Sequence, residues 1–183
     1  VIANLALEKM GYQRGDYQYC SPNDVVNASQ STNDAYPCAI HMALCLEHLE
    51  FMPRLEQMIA ALDKKSAEFA HVIKMGRTQL QDAVPMTLGQ TFGGFAASLR
   101  GELKNLRDTA DEFLIVNMGA TAIGTGICSK PGYSEACIKA LRKVTGWNIS
   151  LADNLIEATS ATTCMIAYSA AMKRLAIKIN KMC

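Results

Sequence analysis

Three short stretches of this sequence carry side chains suited to chemistry. Ser31-Thr32-Asn33, between Gln30 and Asp34, sets two hydroxyls and an amide at or beside a predicted helix start. Unpaired backbone N–H groups and the helix dipole favour an anion at such a place, so a carboxylate fits there. The same residue types are also ordinary helix caps. One cap is enough, however, and four consecutive polar residues after Gln30 leave some side chains free to bind something else. Gly76-Arg77-Thr78-Gln79-Leu80-Gln81-Asp82 is a second polar cluster, in a connection between two long helical patterns. The third stretch, Gly119-Ala120-Thr121-Ala122-Ile123-Gly124-Thr125-Gly126, is rich in glycine. It has no Gly-Lys-Ser/Thr sequence and no preceding strand, which argues against a phosphate-binding loop.

Other chemistry-bearing residues point to no site. His41, His48 and His71 fall in predicted helices without a neighbour that would make any of them a metal ligand or a base, and they are read as solvated or edge positions. The seven cysteines (Cys20, Cys38, Cys45, Cys128, Cys137, Cys164 and Cys183) are odd in number and include no CxxC pair. They are read as reduced thiols filling the interior of a cytoplasmic protein. No metal and no cofactor is expected.

The elements that must position these stretches are helices. Apolar residues recur in alternating steps of three and four along Leu55, Ile59, Leu62, Ser66, Phe69 and Ile73, with only Ser66 interrupting. The same period runs through Leu88, Phe92, Phe95, Leu99, Leu103, Leu106, Ala110 and Phe113, and through Ala161, Met165, Tyr168, Met172, Leu175, Ile179 and Met182. These are seams for long neighbours packed nearly parallel or antiparallel. Pro53 predicts a kink or a restart after the run Tyr36 to Phe51. Gly89, Gly93 and Gly94 each cost the second helix up to about 1 kcal/mol relative to alanine, and close approach of another backbone is the expected compensation. No alternating run is long enough to suggest a strand.

Between the seams, Pro37 is expected in the first turn of the helix that follows Ser31. Gly76 reads as a helix C-cap, residues 77–84 as a connection, and Pro85 as the opening of the next helix. Residues 118–131 form a loop, and a shorter helix covers about Ser134 to Val144 and ends at Gly146. The expected fold class is all-α, built on long helices that form a bundle.

Composition excludes several partners. The 183 residues are half apolar, enough for one sizeable core. Eighteen basic and 17 acidic residues are interspersed for a net charge of +1, so no stripe attracts nucleic acid. No apolar run reaches the ~18 residues of a membrane span. The chain begins at Val1 inside an amphipathic pattern and ends at Lys181-Met182-Cys183 without a helix-stop signal, so a segment truncated at both ends is expected.

At three places the sequence resembles the aspartase/fumarase superfamily. PNDVVNASQSTNDAYPCAIHMA, from Pro22 to Ala43, is similar to the PNDHVN…QS[ST]ND…P segment of those enzymes. GRTQLQDAVPMTLGQ, from Gly76 to Gln90, is similar to their second signature, and GATAIGTG to their third, in family order and at family-like separations. Argininosuccinate and adenylosuccinate lyases share the architecture but read differently after the threonine. Fumarases usually carry GRTHTQDATP, whereas Leu80 and Val84 follow the aspartase manner, as does Ser31-Thr32-Asn33 in place of Ser-Ser-Asn. Gln79 stands where fumarases and many aspartases carry histidine, and is similar to the enterobacterial aspartase type.

The resemblance implies the central helical bundle of the L-aspartase-like fold, with residues 1–30 as the end of an N-terminal domain. It implies reversible elimination of ammonia from L-aspartate to give fumarate, in a cytoplasmic homotetramer whose active sites are shared between subunits. Ser31 and Thr32 would bind the β-carboxylate, Asn33 the amino group and Thr78 the α-carboxylate, while Gln79 would orient the amine. Fumarase, or a non-catalytic helical scaffold, is the alternative. Val25 replaces the family's histidine, which puts an accessory dicarboxylate site near Asn23 and Asp24 in doubt. The Gly-Ser-Ser-x-Met-Pro-x-Lys-x-Asn loop that supplies the base does not occur, so no catalytic base is assigned in this chain and the segment alone is expected to be inactive.

Overall fold

A computed structural model describes all residues 1–183. In chain order the elements are α1 (Ile2–Lys9), a short π-helical turn (Pro22–Val26), α2 (Thr32–Glu68), β1 (Ile73–Thr78), β2 (Gln81–Thr87) and α3 (Leu88–Asp111). A 3-10 turn (Glu112–Leu114), β3 (Ile115–Val116), α4 (Tyr133–Thr145), β4 (Ser150–Leu151), α5 (Leu155–Ser160) and α6 (Thr163–Met182) complete the chain. Long helices dominate, as the heptad-like seams require, and the architecture is that of a helical bundle. The chain divides into two compact units, a division that composition did not signal. One joins Val1–Met42 to Leu114–Ala161, and the other joins Ala43–Phe113 to Thr162–Cys183.

In the second unit the three predicted seams meet. Met52, Leu55 and Ile59 from α2, Ala96, Leu99 and Leu106 from α3, and Ala171 and Leu175 from α6 form one buried cluster. Full burial of a side chain such as Leu99 contributes about 1.5–3 kcal/mol. Surface ion pairs report the direction of packing. Arg100 meets Asp63 and Arg107 meets Glu56, so a step of seven forward along α3 is a step of seven back along α2, and the helices are antiparallel. Buried Glu102 of α3 lies between Arg174, at 2.7 Å, and Lys178 of α6.

Of the three glycines at the start of α3, only Gly89 has the predicted cause, since Gly93 meets the Ser66 side chain and Gly94 meets nothing within 4 Å. A Cβ on Gly89 would lie 2.4 Å from the Ser66 carbonyl oxygen and 2.8 Å from the Ala70 backbone. Ser66, the one polar residue in its seam, donates its hydroxyl to the Gly89 carbonyl at 2.7 Å, which explains its place there. α2 continues through Pro53 as one helix, so no restart occurs.

Residues 73–87 depart from the sequence reading. They form an antiparallel hairpin that pairs Ile73 with Thr87, Lys74 with Met86, Met75 with Pro85, Arg77 with Asp82 and Thr78 with Gln81. Gly76 is therefore no helix cap. It sits at the irregularity between Met75 and Arg77, buried, where a Cβ would come 2.8 Å from the Val84 carbonyl oxygen. Pro85 lies in β2, and α3 opens three residues later behind a capping box of Thr87 and Gln90. The ribbon is almost wholly exposed and carries a proline, so the alternation that marks a half-buried strand never developed.

The first unit has its own core of Cys38, Val116, Met118, Ile138 and Ile149. β3 and β4 pair in parallel over two residues each, and α4 ends at Gly146 in the left-handed conformation, as the sequence predicted.

Candidate functional site

Ser31 precedes α2 and caps it, its Oγ accepting the Asn33 N–H at 3.1 Å. The reciprocal half of the box comes from Asp34, whose Oδ1 accepts the Ser31 N–H at 2.8 Å and the Ala35 N–H at 2.7 Å. The other oxygen of Asp34 reaches the glycine-rich loop, where Oδ2 accepts the N–H of Gly119 at 3.2 Å and of Thr121 at 2.9 Å. With both oxygens engaged by backbone donors, the carboxylate is fully buried.

The loop answers with a bond of its own. Asn33 donates Nδ2–H to the Ala122 carbonyl at 2.7 Å. Pro37 sits in the second turn of α2, not the first, and has no N–H to give the Asn33 carbonyl four residues back. Asn117 supplies the missing donor, giving Nδ2–H to that carbonyl at 3.0 Å and to the Thr159 hydroxyl at 3.1 Å. Gly119, Gly124 and Gly126 of the loop all take positive φ. Gly124 has φ +94°, and a Cβ there would lie 2.3 Å from the Ile156 Cα.

Ser31 and Thr32 line an open cleft of about 380 Å³ with Asn27, Gln30, Ala35 and Tyr36. Thr32 is exposed and no protein group engages its hydroxyl. Ser31, Thr32 and Asn33 thus sit together at a helix N-terminus, and the Asn33 amide nitrogen is turned to the Ala122 carbonyl beside that cleft's lining residues.

Thr78 and Gln79 belong to the other unit, at the tip of the hairpin. Thr78 pairs with Gln81, while the two residues between them, Gln79 and Leu80, have φ of +49° and +66°. Positive φ at both central positions makes a primed turn of the kind that asparagine and glycine favour. For residues with a full side chain the conformation costs roughly 1–2 kcal/mol each. Leu80 is 91% exposed, so packing within this chain offsets none of it.

Two functional candidates escaped the sequence reading. Asp34 was within reach of it, since Ser31-x-x-Asp34 has the spacing of a capping box. Asn117 was not, because its role depends on the carbonyl that Pro37 orphans 84 residues away in sequence. Two histidines also differ from expectation. His48 is buried, not solvated, with Nδ1 3.0 Å from the Tyr168 hydroxyl, and His71 lies beyond the end of α2. Burial lowers the His48 pKa most, with Asp111 and Arg107 acting in opposite senses. None of the seven cysteines forms a disulfide, and only Cys20, Cys38 and Cys45 are buried, whereas Cys128 and Cys183 are exposed. Burial, helped by Asp34 in one case and Asp111 in the other, pushes Cys38 and Cys45 up to about 11, so both stay protonated.

A family model described as Lyase matches residues 1–183. The chain belongs to that family, within the aspartase/fumarase superfamily. It is 51% identical over its whole length to an aspartate ammonia-lyase of Pseudomonas fluorescens, covering 38% of that protein. An Escherichia coli aspartate ammonia-lyase is 48% identical, again over the whole chain and 38% of the relative. The chain therefore spans about two-fifths of the length of these relatives. Among solved structures, a cobalt-bound fumarate lyase:delta crystallin of Brucella melitensis superposes with TM-score 0.96 and 48% identity, over all of this chain and 40% of that one. A class II fumarase of Schistosoma mansoni gives TM-score 0.85 and 28% identity, over 97% of this chain and 40% of its own.

Proposed function

We propose that this chain is a segment of an aspartate ammonia-lyase, which reversibly eliminates ammonia from L-aspartate to give fumarate. One observation carries the reading. At the start of α2 the buried Asp34 carboxylate satisfies the backbone, and this leaves the Thr32 hydroxyl and the Asn33 amide oxygen available beside a helix N-terminus. The relatives of highest identity quoted above support the choice of amino-acid substrate.

In the eliminating direction a base takes a proton from the carbon beside the β-carboxylate. The freed electron pair passes into that carboxylate, forming an enediolate with two negative charges on one former carboxyl group. The pair then closes the C=C bond while the C–N bond breaks, and the protonated amine departs as neutral ammonia with the bonding electrons. The enediolate is the species to stabilise, and each preorganised donor in a water-excluded site is worth about 3 kcal/mol.

Ser31 and Thr32 take the β-carboxylate end, Asn33 the amino group and Thr78 the α-carboxylate. Gln79 has no titratable proton and orients the amine by hydrogen bonds. The base lies outside this chain, so the segment alone is inactive. The whole protein acts in the cytoplasm as a homotetramer that shares its active sites between copies.

The intact gene product, assayed for ammonia and for the absorbance of fumarate, is expected to convert L-aspartate. Conversion of L-malate alone transfers the reading to fumarase, the lower-identity relative. Conversion of neither transfers it to a helical scaffold.

A further inference from the structure

Resting on the aspartate ammonia-lyase reading, we infer that Asp34 is a positioning residue that sets the Asn33 amide oxygen, not its nitrogen, toward the substrate's amino group. A carbonyl oxygen can only accept a hydrogen bond, so Ala122 can be met only by the amide nitrogen of Asn33. Once Nδ2 is committed there at 2.7 Å, the oxygen at the other corner of the amide is the atom left for a ligand. It accepts and cannot donate. It therefore receives an N–H of an ammonium group and offers nothing to a carboxylate.

The orientation is only as firm as the place of Ala122. That residue follows directly on Thr121, whose N–H is held by Asp34 Oδ2, and Gly119 is held by the same oxygen. The opposite oxygen of Asp34 holds Ser31 and Ala35 on either side of Asn33. One buried carboxylate thus fixes both partners of the Asn33–Ala122 bond. An asparagine at position 34 cannot replace it, because either orientation of the amide turns an NH2 group against two N–H donors. Asn117, which ties down the Asn33 carbonyl, secures the backbone of the same residue.

The test compares wild-type, Asp34→Asn and Asn33→Asp forms of the intact protein. KM and kcat are measured for L-aspartate, the inhibition constant for succinate, which has both carboxylates and no amine, and Tm for each form. Both variants are expected to lose about tenfold or more in kcat/KM for L-aspartate, the scale of a lost hydrogen bond to a charged group. Succinate inhibition is expected to stay within roughly threefold of wild type.

Asn33→Asp is the sharper variant and lies at an exposed position, so it keeps the test alive should Asp34→Asn fail to fold. It retains the outward oxygen and adds a negative charge that attracts ammonium, yet it places a second acceptor against the Ala122 carbonyl. Binding of L-aspartate as tight as wild type in Asn33→Asp overturns the inference. So does a loss of Tm in Asp34→Asn with kcat/KM intact, or an equal loss of L-aspartate and succinate binding. A wild-type protein that releases no ammonia from L-aspartate overturns the functional reading and this inference together.

Discussion

The carboxylate of Asp34 accepts the backbone N–H of Thr121 at 2.9 Å, across 87 positions of sequence. This bond joins two of the three stretches in which the sequence concentrates polar or glycine residues. It turns what looks like a redundant helix cap into a division of tasks. Ser31 and Asp34 satisfy the helix start, Asn33 grips the loop, and Thr32 is left uncommitted.

That division separates two mutants which the sequence alone would treat alike. On the proposed function, Thr32→Val is expected to depress turnover of the intact protein at least tenfold, with Tm nearly unchanged, since the hydroxyl has no hydrogen-bond partner within this chain and one lost donor costs about 3 kcal/mol in the transition state. Ser31→Ala should depress turnover and also cost about 0.5–2 kcal/mol of stability, because Ser31 Oγ is the cap of α2. Parallel kinetic and thermal-melt measurements check both. A Thr32→Val protein that merely melts earlier would show the assigned role to be wrong.

Two glycines of α3 predict opposite signs. Gly89→Ala drives a Cβ to 2.4 Å from the Ser66 carbonyl oxygen and should destabilise by about 1–3 kcal/mol. Gly94→Ala meets nothing within 4 Å and should stabilise by about 0.5–1 kcal/mol through helix propensity. Urea midpoints for the two variants read the difference directly.

His48 predicts a pH dependence. Burial lowers its folded pKa below the ordinary 6.5. As pH falls through 6.5 the unfolded chain takes up a proton that the folded chain refuses, so stability is full above that value and declines below it. A His48→Gln variant should show a flatter stability profile between neutral and mildly acid pH. An unchanged slope in urea titrations at a series of pH values would remove His48 as the cause.

The hairpin tip predicts a gain in stability at little cost in activity. Leu80→Gly relieves a left-handed conformation that costs roughly 1–2 kcal/mol, so the intact protein should gain in Tm. Turnover should stay near wild type, because glycine adopts the same positive φ and keeps the turn that carries Thr78 and Gln79. A marked fall in turnover would show that the Leu80 side chain itself is needed.

Much of the bundle was legible before any coordinates. The seams through Leu55, Leu99 and Leu175 do meet, and Gly89 does mark a close backbone approach. The apolar period of a long helix is a local property that tertiary structure rarely overrides. The hairpin at residues 73–87 was illegible for the opposite reason. Its strands bury almost nothing, so pairing between backbones, which no side-chain pattern records, is what defines them.

The sequence by itself determined the long helices, the position of Ser31-Thr32-Asn33 at a helix start, and the family, since each rests on neighbours along the chain or on contiguous motifs. Only the tertiary structure decided which of those polar side chains is spent on the fold and which is left over. A carboxylate, an amide and a carbonyl find their partners across 84 to 89 positions, and hydrogen bonds at that range follow from how the backbone returns in space.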